Sequence, residues 1–207
     1  MTRTFWIALL ACFVFTWSVP IRSVTPTNIL VLGDSLTEGY GVDPAAAFPA
    51  VLEKNLNSKG FAVSIANGGL SGSTSAGAVS RLKWHLRNKP KILILALGAN
   101  DGLRGIQSAA TEKNLAEVIA FAQGEHIQVL LAGMRLPPNY GDKYPDDFQK
   151  MYQTLARKYH LPLMGFLLED VAARPELNQP DGIHPNEKGH RIIAKNIERY
   201  VIKLLKK

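Results

Sequence analysis

Residues that could carry out acyl-transfer chemistry occur at widely separated places in the chain. Ser35 follows the apolar run 29–32, and its hydroxyl could act as a nucleophile if a base removed its proton. Asp181 precedes His184 by three residues, on a turn containing Gly182, so its carboxylate can reach the inner nitrogen of the ring. The outer nitrogen would then be free as a general base. One interpretation of this pattern is nucleophilic catalysis by Ser35, with His184 as base and Asp181 as its orienting group.

Each of these residues also has a structural interpretation. A serine between a strand and a helix is by default an N-cap, and Asp181 could begin the last helix with His184 at the surface. The lipase pattern G-x-S-x-G is absent, since Thr37 stands where its second glycine would be. The order Ser, Asp, His matches that of α/β-hydrolases but does not decide between the interpretations.

Two further loops contain donors for the negative oxygen of a tetrahedral intermediate. Gly72 lies in a glycine-rich stretch, where an amide N–H can approach a substrate without obstruction by a side chain. The side chain of Asn100 and the amide of Ser35 would add a second and a third donor. Gly72 could equally be a turn residue, and Asn100 could cap the loop after its strand.

A scaffold must bring these distant residues together, and the hydropathy pattern indicates which one. Strands are predicted at 29–32, 62–66, 92–97 and 129–132, with a short fifth strand starting at 163. Strands that are apolar on both faces and separated by helices indicate a parallel sheet covered on each side. We therefore predict a flavodoxin-like three-layer α/β/α sandwich of about five parallel strands, with its site at their carboxyl ends.

Five helices are predicted between and after these strands. They cover 48–59, 76–86, 111–122, 148–159 and 186 to the end. Thr111 is expected to cap the third helix, and His190 in the last helix is expected to face solvent. The irregular stretch 134–147 is long for a compact domain, and such loops are often functional.

Four sequence blocks, in order and at suitable spacing, resemble those of the SGNH (GDSL) hydrolases. The blocks are Gly33-Asp34-Ser35-Leu36, Gly72, Gly98-x-Asn100-Asp101 and Asp181-x-x-His184-Pro185. Three longer stretches indicate which branch of the family the chain resembles, and these are 98–105, 135–141 and 181–185. They are similar to the bacterial periplasmic branch of thioesterase I, lysophospholipase and arylesterase enzymes.

The resemblance implies roles for particular residues. Ser35 would be the nucleophile, His184 the base and Asp181 its orienting residue. The oxyanion hole would comprise Gly72, Asn100 and the Ser35 amide. The resemblance implies no metal and no organic cofactor.

The substrate loop departs from the family pattern. Many members of the branch have Asp directly after the oxyanion glycine, where this chain has Ser73. That loop helps to shape the acyl pocket in relatives, so the range of substrates stays open. By the same resemblance, Arg135, Pro137, Asn139 and Tyr140 would line or gate the acyl site, although a rigid surface turn would explain them equally well.

The leading hypothesis is a cofactor-free, monomeric serine hydrolase of small-molecule carboxylic esters and thioesters, of arylesterase, acyl-CoA thioesterase or lysophospholipase type. A carbohydrate O-acetyl esterase or acyltransferase could use the same triad with a different pocket. A phosphate- or nucleotide-binding module would need G-x-x-x-x-G-K-[ST] or G-x-G-x-x-G, and the stretch 68–77 contains neither pattern. The histidines lack the H-E-x-x-H spacing of a zinc hydrolase.

Composition limits the remaining possibilities. The chain has 207 residues, of which 46% are hydrophobic and 20% charged, which fits one folded domain and excludes a disordered protein. The formal net charge is +7, but the basic residues are scattered, so no nucleic-acid partner is expected. Cys12 is the single cysteine, so an intramolecular disulfide is impossible.

The N-terminal segment has the pattern of a secretory signal peptide. Arg3 precedes an apolar run over 5–19, and small residues follow it. We expect residues 1–23 to be removed, and 24–207 to form a single domain in the periplasm or outside the cell, without a stable membrane span. Lipid attachment at Cys12 and an uncleaved N-terminal anchor are the alternatives.

Overall fold

A five-stranded parallel sheet forms the centre of the molecule, in a computed structural model that describes residues 25–141 and 143–206. The strands follow the order β2-β1-β3-β4-β5, and every neighbouring pair is parallel. They are β1 (Thr27–Gly33), β2 (Val63–Gly69), β3 (Ile92–Ala96), β4 (Gln128–Ala132) and β5 (Leu163–Met164). The predicted number and direction of the strands are confirmed. The predicted signal peptide, 1–23, lies outside the described residues.

Helices connect the strands and cover the sheet. They are α1 (Ser35–Glu38), α2 (Phe48–Ser58), α3 (Ala78–His85), α4 (Ala99–Leu103), α5 (Ser108–Gly124), α6 (Lys143–Lys158) and α7 (Glu187–Leu205). Helices α2 and α7 pack against each other, while α3, α5 and α6 pack side by side. These two groups form the outer layers of the predicted three-layer sandwich. Within the described ranges, no helix has both the length and the apolarity needed to cross a bilayer.

The core explains why the strands have continuous apolar sequences. All five residues of β3 are buried, as are the last five of β1, because helices cover both faces of these central strands. Large side chains from the helices complete the core, among them Phe48 of α2 and Phe148 of α6, neither of which is exposed. The edge strand β2 is less buried.

Two helices begin earlier than predicted. Helix α5 starts at Ser108, so Thr111 is an interior, fully buried residue and not the cap. Its hydroxyl donates a hydrogen bond of 3.3 Å to the carboxylate of Asp101, a residue outside α5. Helix α6 starts at Lys143, which shortens the irregular stretch that was expected to reach 147.

The prediction that His190 faces solvent is wrong. Only 1% of His190 is exposed, and its Nδ1 accepts a hydrogen bond of 3.2 Å from the amide N–H of Phe48. That amide is at the first position of α2, where no helical carbonyl is available to accept it. The polarity of histidine favours a surface position, but here the ring accepts a hydrogen bond from a buried amide of a neighbouring helix.

The strand order places three chain segments next to one another at the carboxyl edge of the sheet. Gly33 at the end of β1 pairs with Gly69 of β2 on one side and with Ala96 of β3 on the other. The chain leaves β1 for β2 and then returns to the opposite side for β3, which makes this edge the switch point where ligands bind in such sheets. The loops that carry Ser35, Gly72 and Asn100 emerge here.

Candidate active site

Ser35 is held in the first turn after β1, and it is not the helix cap. Asp34 is the N-cap of α1, because its Oδ1 accepts a hydrogen bond of 3.0 Å from the amide of Leu36. The hydroxyl of Ser35 is thereby free, and its Oγ lies 3.0 Å from Nε2 of His184, across 149 positions of sequence. The two groups are within proton-transfer distance.

The imidazole of His184 is fixed from its other side by Asp181. Its Nδ1 lies 2.7 Å from Oδ2 of Asp181. Oδ1 of the same carboxylate accepts hydrogen bonds of 3.0 Å from the amides of Ile183 and His184. The His184 amide, more than any other group, lowers the pKa of Asp181 to about 2, with further contributions from its ring and from the Ile183 amide. Asp181 is therefore a carboxylate at any physiological pH.

A short antiparallel bridge closes the loop that presents these two residues. Asn178 pairs with Pro185, and the Gln179 amide donates to the carbonyl of His184 at 2.7 Å. The Gln179 side chain also donates from Nε2 to the carbonyls of Tyr40, at 2.6 Å, and Pro185, at 3.1 Å. Gln179 thus connects the segment after α1 with the histidine loop, a role that sequence analysis did not find.

Asn100 lies in α4, the helix that follows β3. Gly98 has a φ of +119°, and a side chain there would meet the hydroxyl of Tyr152, so the turn between strand and helix requires glycine. Nδ2 of Asn100 donates to the carbonyl of Ser73 at 3.0 Å. The buried carboxylate of Asp101 accepts from the amide of Ser75, at 2.9 Å, and so ties α4 to the same glycine-rich loop.

Hydrogen bonds from Arg104 and to Glu38 hold the loop that contains Gly72. Gly72 has a φ of +75°, and its carbonyl accepts a hydrogen bond of 2.9 Å from the guanidinium of Arg104. The amide and hydroxyl of Ser71 both donate to the carboxylate of Glu38. Among residues 25–141 and 143–206, no hydrogen bond uses the amide hydrogens of Ser35 or Gly72. Both remain available as donors.

Asp34 places a second carboxyl group beside the nucleophile. It is fully buried, and desolvation raises its pKa to about 6, against the lowering effects of the Leu36 amide and the charges of His184 and Arg81. Its Oδ2 has no hydrogen-bond partner among the described residues. The group changes its charge near neutral pH.

A cavity of about 500 Å³ opens beside the triad. Its lining includes Ser35, Asn100 and His184, and of the residues predicted from the substrate loop it includes Arg135 and Pro137. Apolar side chains supply most of the rest: Leu36, Ala99, Leu103, Leu136, Phe166, Leu168, Ala172, Ala173 and Ile183. The guanidinium of Arg135 lies 5.1 Å from the ring centre of Phe166.

Three other residues predicted for substrate binding lie outside the cavity lining. Ser73 contributes its carbonyl to Asn100, and the hydroxyl of Tyr140 donates to the carbonyl of Leu103 at 2.9 Å. Asn139 is exposed. Within the part of the chain that is described, no cluster of three or more His, Cys, Asp or Glu side chains could hold a metal ion.

Comparison with known proteins identifies the family of this chain. The model of the GDSL-like Lipase/Acylhydrolase family matches residues 31–192, most of the chain. The chain belongs to this family. The GDSL-like hydrolases are carboxylic ester hydrolases, and this chain is one of them.

Relatives of this GDSL-like hydrolase span nearly its whole length. It is 37% identical over 190 residues to "Thioesterase 1/protease 1/lysophospholipase L1" of Escherichia coli (strain K12), covering 87% of this chain and 90% of that protein. It is 34% identical over 200 residues to an arylesterase of Vibrio mimicus, covering 96% and 100%. A crystal structure of TesA superposes with a TM-score of 0.82 at 37% identity, covering 86% of this chain and 99% of that one.

Proposed function

We propose that the protein hydrolyses carboxylic esters and thioesters through an acyl-enzyme on Ser35. Asp181 orients His184, and Gly72, Asn100 and the Ser35 amide form the oxyanion hole. The single observation that carries the proposal is the chain of contacts from Asp181 Oδ2 to His184 Nδ1, at 2.7 Å, and from His184 Nε2 to Ser35 Oγ, at 3.0 Å.

The reaction follows from these contacts in two halves. His184 Nε2 takes the proton of Ser35 as Oγ bonds to the acyl carbon, and Asp181 stabilises the imidazolium. His184 then gives that proton to the departing alcohol or thiol, whose bond to the acyl carbon breaks. Water attacks the acyl-enzyme with the same base, releasing the acid and restoring the Ser35 hydroxyl. The oxyanion donors stabilise the negative oxygen in both halves.

The apolar cavity supports an alkyl or aryl acyl chain as the bound half of the substrate. Leu103, Leu136 and Phe166 offer it little besides hydrophobic contact. The acyl half of an O-acetylated sugar is only an acetyl group, which would leave most of the cavity of about 500 Å³ unfilled, so such a substrate is disfavoured. We infer a substrate range of aryl esters, acyl thioesters and lysophospholipids, the classes named for the relatives. Arg135 and Pro137 would contact the acyl chain, and Ser73, Asn139 and Tyr140 would act through the loops around it.

Replacement of the nucleophile tests the proposal. Ser35→Ala should reduce hydrolysis of p-nitrophenyl butyrate at least a thousandfold, because the hydroxyl that forms the acyl-enzyme is gone. Ser80→Ala is the matched control, since Ser80 lies on α3 and its hydroxyl donates to the carbonyl of Gly77. An alkyl fluorophosphonate should label Ser35 in the unmodified protein. Normal turnover by Ser35→Ala, or labelling at another residue, would contradict the assignment.

We further propose that residues 1–23 are a removable export signal and that the enzyme works in the periplasm. The support is the sequence pattern of Arg3 and the apolar run 5–19. Expression in a Gram-negative host, followed by fractionation and N-terminal sequencing, tests it. Periplasmic protein beginning near Val24 is expected. Protein that retains Met1, or that carries lipid on Cys12, would contradict removal of the segment.

A further inference from the structure

The ring of Tyr40 packs against the imidazole of His184. The two ring centres are 4.8 Å apart, and the planes are inclined by 43°. Tyr40 nevertheless has 53% of its surface exposed. Tyr40 does not line the apolar cavity, although His184 does. The imidazole therefore has the cavity on one side and an open aromatic surface on another.

The backbone holds Tyr40 in this position. Its amide donates to the carbonyl of Ser35 at 3.1 Å, and its carbonyl accepts from Gln179 at 2.6 Å. Gly41, with a φ of +76°, lies so close to Gln179 that a side chain there would collide with it. No hydrogen bond to the described residues uses the hydroxyl of Tyr40. The feature offered to a ligand is thus the ring itself.

The chemistry of ester cleavage requires two binding directions at the acyl carbon. The acyl group and the leaving group lie on different bonds of that carbon, so they extend in different directions and contact different surfaces. The leaving oxygen must reach His184 Nε2, because that nitrogen returns the proton to it. The alcohol portion of the ester, which is attached to this oxygen, consequently lies beside the imidazole, where Tyr40 packs.

We propose that Tyr40 forms a subsite for the leaving group, which binds aromatic alcohols by ring-to-ring contact while the acyl chain occupies the cavity. The inference rests on the proposed function of Ser35 and His184, and it specifies the substrate as an ester of a phenol or another planar aromatic alcohol. Paired aromatic rings gain attraction beyond their buried area. An ester of the same acid with an alkyl alcohol would gain much less from contact with this ring.

A comparison of two esters of the same acid measures the contribution of this subsite to kcat/KM. Phenyl butyrate and ethyl butyrate form the same butyryl-enzyme, so any change in the ratio of their kcat/KM values arises in the acylation step. Comparing ratios between variants also cancels the greater intrinsic reactivity of the phenyl ester. Tyr40→Ala should lower the phenyl-to-ethyl ratio about threefold to tenfold, whereas Tyr40→Phe, which keeps the ring, should hold it within about twofold.

Trp84→Ala is the matched control, because Trp84 is an exposed aromatic residue of α3, with 58% of its surface exposed, and it is absent from the lining of the cavity. Its ratio and both kcat/KM values should equal those of the unmodified protein. If Tyr40→Ala slows both esters equally, or neither, the leaving-group subsite is overturned. Failure of the proposed function is recognised separately, because Ser35→Ala would then still hydrolyse both esters.

Discussion

Asn100 donates a structural hydrogen bond and, in the proposed mechanism, would also donate one to the substrate. Its carboxamide has two N–H bonds. Nδ2 donates to the carbonyl of Ser73, which ties the donor to the loop of Gly72, and the second N–H remains for the substrate oxygen. The orientation of the amide is thus set before substrate binds, which is the condition for strong stabilisation of the transition state.

Asn100→Ala should lower kcat about 100- to 1000-fold while KM changes little, because the lost bond strengthens only as charge develops on the oxygen. Steady-state kinetics on p-nitrophenyl butyrate measures both constants. The control is Asn196→Ala, since Asn196 also donates from Nδ2 to a carbonyl, that of Glu169 at 2.9 Å, but in α7. An effect confined to KM would remove Asn100 from the oxyanion hole.

Asp34 and His190 show that buried titratable groups affect stability in opposite directions. The pKa of Asp34 is raised to about 6, so its contribution to stability is complete below the ordinary value of 3.8 and is lost as the pH rises through 6. Burial, with the charge of His184, lowers the pKa of His190 from 6.5 to about 4. Its contribution is complete above 6.5 and is lost as the pH falls towards 4.

A variant without the imidazole separates the two effects. Between pH 7 and pH 5, His190 should account for a fall in the free energy of unfolding of about 2 kcal/mol. His190→Gln keeps a polar side chain but cannot titrate, so its stability should fall by that much less over the same interval. Urea unfolding at both pH values provides the measurement. Equal falls in the two proteins would show that the pKa of His190 is the same in the folded and the unfolded protein.

At the level of elements, the catalytic distance between Ser35 and His184 depends on contacts between loops. Helix α1 and the histidine loop come from opposite ends of the sequence, and the side chain of Gln179 joins them through the carbonyls of Tyr40 and Pro185. Helix α7 is joined to α2 in a similar way by the bond from Phe48 to His190. Both connections are made by residues outside the triad and the oxyanion hole proposed above.

Gln179→Leu should reduce kcat about tenfold to a hundredfold with KM within about twofold, because a displacement of about 1 Å between nucleophile and base slows the chemical step. Gln123→Leu is closely matched, since Gln123 Nε2 also donates to a carbonyl, that of Tyr159 at 3.0 Å, far from the triad. Circular dichroism verifies that both variants are folded. Equal kinetics in the two variants would mean that Gln179 does not position the triad.

At the level of the whole molecule, the sheet assembles the site. Ser35, Gly72 and Asn100 follow β1, β2 and β3, whose carboxyl ends are adjacent. The central strands are buried, and hydrogen bonds join the loops to one another across this edge. The three donors of the proposed oxyanion hole thus depend on one structural feature, the strand order at the switch point.

The proposed mechanism uses no metal ion, since its nucleophile, base and oxyanion donors are all protein groups. Dialysis of the intact enzyme against EDTA should therefore leave kcat/KM for p-nitrophenyl butyrate unchanged within about twofold, as expected for a base-activated serine. The activity is measured before dialysis, after it, and after addition of Zn²⁺. Loss of activity that Zn²⁺ restores would contradict the serine mechanism.

The sequence alone determined the strands, their parallel arrangement and the edge where the chemistry lies. Central parallel strands are buried on both faces, so they are continuous apolar runs such as 92–97, and reactive groups follow them directly. The residues of the triad and the oxyanion hole were selected from those positions and from the family resemblance. Their catalytic roles stay predictions until the variants above are measured.

The tertiary structure decided which polar residues are buried and what they contact. His190 was expected at the surface and Thr111 at a helix end, yet both satisfy partners on other elements. Gln179 and Tyr40 acquire their positions from contacts between residues 139 and 144 positions apart. Hydropathy patterns report the environment that a residue prefers along its own helix or strand, whereas these contacts depend on how separate elements pack together.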